Sequence, residues 1–314
     1  MRRVDVLVEC VGDVEKMLHA ANIPDLAVRL LHNESNPQSM ICGAAAVITS
    51  LSTRVDEAFL DTAGPSLKVV SNYAVGYDNV DLAACRARNI VACNAPPPMV
   101  EPTADVAWLL LLGAARRVRE GLDLATSGAW SGYHPTLLLG HALVGRTLLV
   151  VGAGRIGSAV MRRAEGWDMH VLYTARSEKS ELNGEFVSLH DGLTRADAVV
   201  VCVALTHDTH HLIGADEFAL MQNHAVFVNV SRGPVVDEAA RAQALNAGEL
   251  FAAGLDVYEA EPDIHPELIA NPRAILLPHV GSATIEDRTA LTHLAVANVA
   301  AVLRGEQPPF EIQD

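Results

Sequence analysis

The sequence carries little positive charge for its length. Of its 314 residues, 23 are Lys or Arg and 38 are Asp or Glu, so the formal net charge is −15 at neutral pH. Basic residues never stand more than two in a row. Because such a surface repels phosphate groups and anionic lipid, the sequence disfavours binding of nucleic acid or of a membrane surface.

Long hydrophobic runs and paired cysteines are also missing. The longest unbroken apolar stretch, residues 106–115, has about half the length that a helix needs to cross a bilayer. The five Cys residues are scattered without CxxC spacing, so we expect neither a metal site nor a disulfide framework. Asp5 and Glu9 interrupt the apolar N-terminal residues, a pattern typical of a strand and not of a signal peptide. These features predict a cytoplasmic protein with reduced thiols.

Short runs rich in β-branched residues alternate with helical patterns along the whole chain. Half of the residues are apolar and 19% are charged, the balance of a folded globular protein, and the length is typical of two domains. The runs lie at residues 4–9, 27–31, 45–50, 67–72 and 90–94, and again at residues 147–151, 169–173, 196–204, 225–231, 251–258 and 274–280. Strands separated by helices predict parallel sheets with right-handed crossovers, so both halves are expected to be α/β domains.

The alternation breaks at residues 95–98, where three consecutive prolines remove backbone donors. A helix is predicted next, over residues 103–127, with Asp105 in its first turn. We expect this helix to lead into the second domain. A last helix is predicted over residues 286–303, and its pattern alone leaves open which domain it packs on.

A glycine-rich motif, GAGRIG at residues 152–157, follows the first strand of the second half and precedes a predicted helix over residues 158–164. In this context the first Gly makes a tight turn, the second lets the backbone approach a pyrophosphate, and the third lets the helix pack on the strand. The alternative is a glycine-rich turn without a ligand. The residues expected to bind a dinucleotide are Gly152, Gly154, Arg155, Ile156 and Gly157.

The next strand ends without the acidic residue that binds the ribose 2′-hydroxyl of NAD. Thr174, Arg176 and Ser177 stand there instead, and a guanidinium with two hydroxyls suits a 2′-phosphate. We therefore predict that NADP(H) is preferred, with NAD(H) as the alternative cofactor. Glu178 opposes this charge, and in the other interpretation Arg176 is an exposed loop residue that stacks on adenine.

Three ionisable residues stand at or just after the ends of the last three predicted strands: Arg232, Glu261 and His279. Doubly wound folds bind ligands at the carboxyl ends of their strands, so the three side chains are candidates for one site. Each alone also fits a structural role. Arg232 and Glu261 would then be solvated loop residues, and His279 a strand-end histidine with a local partner.

Five short motifs occur in order along the second half of the chain. They are GAGRIG at 152–157, LTHDT at 205–209, NVSRGPVVDE at 229–238, AGLDVYEAEP at 253–262 and PHVGSAT at 278–284. Together they resemble the motifs of the D-isomer-specific 2-hydroxyacid dehydrogenases. Within that family, TLLLG at 136–140 and YTARS at 173–177 are similar to the glyoxylate/hydroxypyruvate reductases that use NADPH.

The resemblance implies two doubly wound parallel-sheet α/β domains. Residues 101–285 would form a Rossmann dinucleotide-binding domain. Residues 1–100 would form a flavodoxin-like substrate (lid) domain, completed by residues 286–314. The active site would then lie in the cleft between the domains.

Roles for the three ionisable residues are also implied by the resemblance. Arg232 would bind the carboxylate and carbonyl oxygen of the substrate, His279 would be the general acid in reduction, and Glu261 would orient His279. Hydride arriving at a 2-keto carbon builds negative charge on oxygen, which needs a fixed cation and a proton donor. The implied activity is NADPH-dependent reduction of glyoxylate or hydroxypyruvate to the D-2-hydroxy acid.

Further contacts follow from the same family pattern. Backbone N–H groups of Val75 and Gly76 would bind the substrate carboxylate. The remaining residues implied at the cofactor are Thr103, Thr209, Asp256 and Gly281. Asp256 would contact the nicotinamide carboxamide or would instead be a structural carboxylate. The family also implies a homodimer, in which Trp130 and Tyr133 reach the partner's active site unless both pack locally.

Two other functions stay open at this point. A 2-ketogluconate-type reductase of sugar keto acids would use the same residues. A dinucleotide-sensing, corepressor-like binding protein would also keep the Arg, Glu and His, although such proteins usually carry disordered extensions, of which the sequence shows no sign. Arg54 is the only nearby candidate for a second anionic group, so a phosphorylated substrate is disfavoured.

Overall fold

The computed structural model describes residues 2–96 and 99–313 and divides into two compact units. Unit 1 consists of Met1–Met99 with Ser282–Asp314, and unit 2 of Val100–Gly281. The sequence placed these boundaries at residue 100 and between residues 285 and 286. The predicted proline break extends over Pro97 and Pro98, which lie outside the described residues.

The helices and strands are numbered here in chain order. They are β1 (Arg2–Val6), α1 (Val14–Ala20), β2 (Leu26–Leu30), β3 (Ala46–Thr49), α2 (Glu57–Ala63), β4 (Val69–Asn72), α3 (Leu82–Ala87), β5 (Val91–Cys93), α4 (Val100–Ala115), α5 (Val118–Thr126), β6 (Thr147–Val151), α6 (Arg155–Ala164), β7 (His170–Thr174), β8 (Glu185–Phe186), α7 (Leu189–Arg195), β9 (Ala198–Val201), α8 (Ala215–Leu220), β10 (Val226–Asn229), α9 (Glu238–Ala247), β11 (Ala252–Leu255), α10 (Pro266–Ala270), β12 (Ala274–Leu276) and α11 (Ile285–Arg304).

Unit 1 is built on a five-stranded parallel sheet with the spatial order β2-β1-β3-β4-β5. In this register Val4 of β1 lies opposite Val28 of β2 and Ala46 of β3. The order is that of flavodoxin-like sheets, as the resemblance implied. Helix α11 packs in this unit, where Leu291 and Val299 join the core that includes Val4. The last helix therefore packs on the first domain, a point that its sequence pattern left open.

Unit 2 is built on a seven-stranded parallel sheet with the order β12-β11-β10-β9-β6-β7-β8. Successive side chains of a strand point to opposite faces, so Val150 of β6 lies in one apolar cluster and Val151 in the other. Both are buried because helices cover both faces of the sheet. Strand order reverses between β6 and β9, and this switch point is where doubly wound sheets bind ligands at their carboxyl ends. The predicted fold class, two doubly wound parallel-sheet domains, is confirmed.

The prediction of one helix over residues 103–127 is wrong, because the helix is interrupted at Arg117. This residue adopts the left-handed conformation (φ 55°), and its guanidinium donates two hydrogen bonds to Glu120, of 2.7 and 2.6 Å. The break separates α4, which is buried on most of its faces, from α5, which has no buried residue. Since α4 begins at Val100, Glu101 lies in its first turn and Asp105 does not.

None of the helices within residues 2–96 and 99–313 combines the length and the apolar character that crossing a bilayer requires.

Candidate active site

The glycine turn after β6 is shaped by close backbone packing. Gly152 has a φ of +100°, and a Cβ there would lie 2.6 Å from Val203 Cγ1. At Gly157 a Cβ would lie 2.1 Å from the Gly152 carbonyl oxygen, so only glycine lets α6 start this close to the strand. A Cβ at Gly154 would meet no protein atom within 4 Å. The turn is therefore tight against the protein at its ends and open at its middle glycine.

The open glycine lies at the N-terminus of α6. Gly154 is the N-cap, without a side-chain cap, and Arg155 and Ile156 follow in the first turn. Unpaired backbone N–H groups and the positive end of the helix dipole favour an anion at this place. The arrangement fits the pyrophosphate of a dinucleotide.

Strand β7 ends beside the glycine turn. The Thr174 carbonyl accepts hydrogen bonds of 3.1 Å from the backbone N–H groups of Gly152 and Ala153. Arg176 and Ser177, which follow directly, are exposed. The candidates for a 2′-phosphate are thus held next to the turn and open to solvent, and their binding role stays a prediction.

Arg232 stands just beyond β10, in a loop with fixed backbone. The Asn229 side chain donates to the Arg232 carbonyl (3.1 Å) and accepts from the Ser231 backbone N–H (3.0 Å). The next residue, Gly233, packs so closely that a Cβ would lie 1.9 Å from the Tyr258 carbonyl. This contact joins the loop that carries Arg232 to the segment that carries Glu261.

His279 and Glu261 make direct contact, with 2.8 Å between His279 Nδ1 and Glu261 Oε2. The two side chains are 31% and 36% exposed, so a ligand can reach them. Burial raises the pKa of Glu261, but the His279 hydrogen bond and charge, the Tyr258 backbone N–H and the Arg232 charge outweigh it and keep the pKa below its usual range. Since an ionised carboxylate only accepts, Nδ1 donates, and Nε2 is left for a substrate.

Asp256 fixes the turn that carries His279. Its two carboxylate oxygens accept the backbone N–H groups of Val280 (2.8 Å) and Gly281 (2.7 Å), while His279 itself has a φ of +54°. Burial raises the pKa of Asp256, and the two backbone hydrogen bonds oppose the rise. This geometry supports the structural alternative for Asp256, and contact with a nicotinamide carboxamide stays a prediction.

The other cofactor candidates lie within unit 2. A Cβ at Gly281 would lie 2.9 Å from Asp256 Oδ2 and 3.5 Å from Thr103 Oγ1, so these three residues are neighbours. Thr209 lies in the loop after β9, where its hydroxyl donates to the Ala204 carbonyl (2.6 Å) and accepts from the Thr206 N–H (2.7 Å). The Thr209 hydroxyl is therefore engaged in shaping its own loop.

Val75 and Gly76 belong to unit 1, in the loop after β4. Their carbonyls accept hydrogen bonds from the side-chain amides of Asn94 (2.7 Å) and Asn72 (2.9 Å), respectively. These two amides hold the loop in one conformation. The assignment of the Val75 and Gly76 N–H groups to a substrate carboxylate stays a prediction.

Sequence reasoning missed a buried carboxylate that supports the catalytic segment. Glu238, the first residue of α9, accepts backbone N–H groups of Glu259 and His265, both at 2.8 Å, and so clamps the stretch containing Glu261. Arg241, one turn later, is fully buried, and its closest approach to Glu238 is 3.7 Å. Glu238 is the last residue of the motif NVSRGPVVDE, but its backbone partners Glu259 and His265 lie 21 and 27 residues further along the chain, so only the structure reveals these contacts.

Within the described part of the chain, no group of three or more His, Cys, Asp or Glu side chains could hold a metal ion.

Comparison with known proteins gives consistent matches. A family model for the D-isomer specific 2-hydroxyacid dehydrogenase NAD binding domain matches residues 108–281. A curated glyoxylate reductase of Thermococcus gammatolerans is 44% identical over 272 residues, which cover 84% of this chain and 81% of that protein.

Solved structures agree over the full length. The TT0316 protein of Thermus thermophilus is 40% identical, with a TM-score of 0.92, over 99% of this chain and 100% of that chain. An NADPH-dependent glyoxylate/hydroxypyruvate reductase of Sinorhizobium meliloti, in complex with NADP and malonate, is 30% identical, with a TM-score of 0.83, over 100% of this chain and 99% of that chain.

Proposed function

Because the chain belongs to the D-isomer-specific 2-hydroxyacid dehydrogenase family of oxidoreductases, we propose that it reduces glyoxylate or hydroxypyruvate to the D-2-hydroxy acid with NADPH. The observation that carries the proposal is the 2.8 Å contact between His279 Nδ1 and Glu261 Oε2. It pairs a proton donor with an orienting carboxylate at the carboxyl edge of a nucleotide-binding sheet, where Arg232 supplies a fixed cation.

Each of the three side chains has a distinct task. The Arg232 guanidinium binds the substrate carboxylate and stabilises the negative charge that develops on the carbonyl oxygen. His279 gives a proton to that oxygen from Nε2, which completes the alcohol. Glu261 holds the imidazole through Nδ1 and stabilises its charged form, so that the proton is present when reduction begins.

The glycine turn supports a dinucleotide cofactor. A Cβ at Gly154 would occupy open space, and the N-terminus of α6 carries no competing side-chain cap. When bound, the reduced nicotinamide supplies the hydride that the keto carbon accepts. Thr103 and Gly281 are neighbours and would face this group at the buried end of the site.

Preference for NADPH rests on the residues after β7. The strand ends in Thr174, and Arg176 and Ser177 are exposed next to the glycine turn. A guanidinium with hydroxyl groups recognises a 2′-phosphate by charge-assisted hydrogen bonds, whereas NAD recognition calls for a carboxylate at this place. The Sinorhizobium meliloti relative is an NADPH-dependent enzyme by name, which agrees.

A small substrate with one carboxylate is supported by the loop that carries Val75 and Gly76, because its residues 72–79 include no Lys or Arg. Arg54 follows β3, its side chain is 84% exposed, and it pairs with Asp56 at 3.3 Å. A guanidinium already neutralised and solvated offers little to a second anionic group. Glyoxylate and hydroxypyruvate have no such group.

A homodimer is the proposed assembly. Unit 2 exposes large apolar side chains along α4, α5 and the loop after them, among them Leu109, Leu122, Trp130, Tyr133 and Leu139. Trp130 Nε1 donates to the nearby Gly132 carbonyl (2.8 Å), and Tyr133 is 89% exposed. Side chains of this kind are enriched in subunit interfaces, so the exposure favours contact with a partner over local packing.

The roles are tested with His279→Ala and Glu261→Gln, and His190→Ala serves as the matched control because its side chain is 69% exposed and lies in α7, outside the proposed site. We expect kcat to fall by about 10²- to 10⁴-fold in the His279 variant and by at least about tenfold in the Glu261 variant, with unchanged NADPH affinity. Stopped-flow turnover and fluorescence titration measure the two quantities. A His279→Ala variant that keeps a tenth of wild-type turnover would remove His279 from the acid role.

A further inference from the structure

Lys179 reaches back from the segment after β7 to the glycine turn. Its Nζ donates a hydrogen bond of 2.6 Å to the carbonyl oxygen of Ala153, the second residue of GAGRIG. An ammonium on a carbonyl makes a charge-assisted bond, which is shorter and stronger than a neutral one. Lys179 is one of three lysines in the chain, and it is half-buried at this contact.

The backbone of Lys179 is held as firmly as its side chain. The Tyr173 hydroxyl accepts the Lys179 N–H (2.9 Å) and donates to the Lys179 carbonyl (3.2 Å). Tyr173 is itself in the core, at 1% exposure, with its ring tilted against Phe186 of β8 at 5.6 Å. Lys179 is thereby fixed to the sheet at its backbone and to the glycine turn at its ammonium.

The segment from Thr174 to Lys179 is anchored to the glycine turn at both ends. At its start, the Thr174 carbonyl accepts the N–H groups of Gly152 and Ala153, at 3.1 Å each. At its end, Lys179 Nζ binds the Ala153 carbonyl. Arg176 lies between these two anchors and is exposed.

Resting on the proposed function, we propose that Lys179 is a positioning residue for the dinucleotide site, which locks the glycine turn through the Ala153 carbonyl. The peptide after Ala153 leads into Gly154, the open position where a nucleotide backbone would approach. The Ala153 carbonyl and the Gly154 N–H belong to one planar peptide, so fixing the carbonyl fixes the direction of that N–H. The Lys179 contact therefore affects binding of the pyrophosphate, which NADH and NADPH have in common. Arg176, in contrast, is proposed to distinguish the two cofactors.

The first test is nucleotide binding without substrate, by fluorescence titration of NADPH and NADH. We expect Lys179→Met to weaken both affinities by about tenfold and to leave their ratio unchanged within about twofold. Lys179→Arg, which keeps a cation and a donor, should recover most of the affinity. Arg176→Ala, measured in parallel, should change the ratio.

The second test needs no nucleotide. Hydrogen–deuterium exchange of the wild-type protein and of Lys179→Met is compared in peptides covering residues 152–157, and the variant should exchange faster there and not in the sheet of unit 1. Loss of NADPH affinity alone would make Lys179 a ligand of the 2′-phosphate and would overturn the proposal, as would unchanged exchange and affinity. A wild type that prefers NADH would instead defeat the proposed cofactor preference and leave the Lys179 proposal to these two readouts.

Discussion

His279 adopts a left-handed backbone conformation at the end of β12, with a φ of +54°. A side chain other than glycine in this region costs about 1–2 kcal/mol, so the surroundings must hold it there. Asp256 does so by binding the next two backbone N–H groups, and Glu261 holds the ring. The conformation is thus tied to the orientation of the imidazole toward its carboxylate.

Arg241 is the least satisfied side chain of unit 2. Its guanidinium is fully buried, none of its nitrogens has a hydrogen-bond partner among the described residues, and burial lowers its pKa from 12.5 to about 10. For a cation, a lowered pKa in the folded state means that folding is penalised at every pH below that value.

We expect Arg241→Met to lower the free energy of unfolding by about 3 kcal/mol, because it leaves the buried Glu238 carboxylate without the cation that lies 3.7 Å away. Urea unfolding at pH 7 measures the change. Arg54→Met, at a position 84% exposed, is the control and should stay within about 0.5 kcal/mol. A gain of stability in Arg241→Met would mean that the cost of burying the guanidinium exceeds what its charge contributes beside Glu238.

Some site residues could be predicted from the sequence and others could not. Arg232, Glu261 and His279 stand at strand ends, where chemistry and position coincide, and the structure brings Glu261 and His279 into contact. Glu238 and Lys179 act on backbone groups that lie far away in the sequence or across a turn. Such contacts leave no pattern in composition or spacing.

Among the elements, the turn from β6 into α6 contains two glycines with different functions, Gly154 and Gly157. Gly157 touches protein and Gly154 faces open space. The first is required for packing of the helix on the strand, and the second for access of a ligand to the backbone. The two positions therefore make opposite predictions for the same substitution.

Gly157→Ala should destabilise the fold by more than about 1 kcal/mol, because the added Cβ would lie 2.1 Å from the Gly152 carbonyl oxygen. Gly154→Ala should leave the melting temperature of the nucleotide-free protein nearly unchanged and weaken NADPH binding by about tenfold or more, because its Cβ enters the ligand's space. Calorimetry and titration measure the two effects. Equal NADPH affinity in wild type and Gly154→Ala would argue against a pyrophosphate at this turn.

The sequence predicted strands better than helix ends. Near-continuous apolar runs marked the central strands of both sheets, because these strands are buried on two faces. The two-residue edge strand β8 was not predicted, since Glu185 and Phe186 are exposed and form no pattern. The break at Arg117 was also missed, because a single left-handed residue does not interrupt the helical composition around it.

For the whole molecule, the apolar surface of unit 2 and the net charge of −15 have opposite effects on association between copies of the chain. Net charge keeps copies apart, whereas exposed Leu109, Leu122 and Leu139, each at 60% or 61%, favour association. Burial of these side chains in a symmetric interface would explain why they are tolerated.

A homodimer is expected in sedimentation velocity at micromolar concentration. Leu122→Lys combined with Leu139→Lys should shift the protein to monomers, because each places an unpaired charge in the proposed interface. Leu30→Lys, which adds the same charge at an exposed leucine of unit 1, is the control. A wild-type protein that sediments as a monomer would contradict the assembly.

The proposed reaction of this chain is hydride transfer from NADPH to a small 2-keto acid. The most direct measurement follows loss of absorbance at the nicotinamide band with hydroxypyruvate or glyoxylate, using NADPH and NADH in parallel, for the wild type and for Arg176→Ala. We expect kcat/KM with NADPH to exceed that with NADH by about tenfold or more, and Arg176→Ala to remove most of this difference. No consumption of either cofactor by a wild-type protein that still binds both would contradict it.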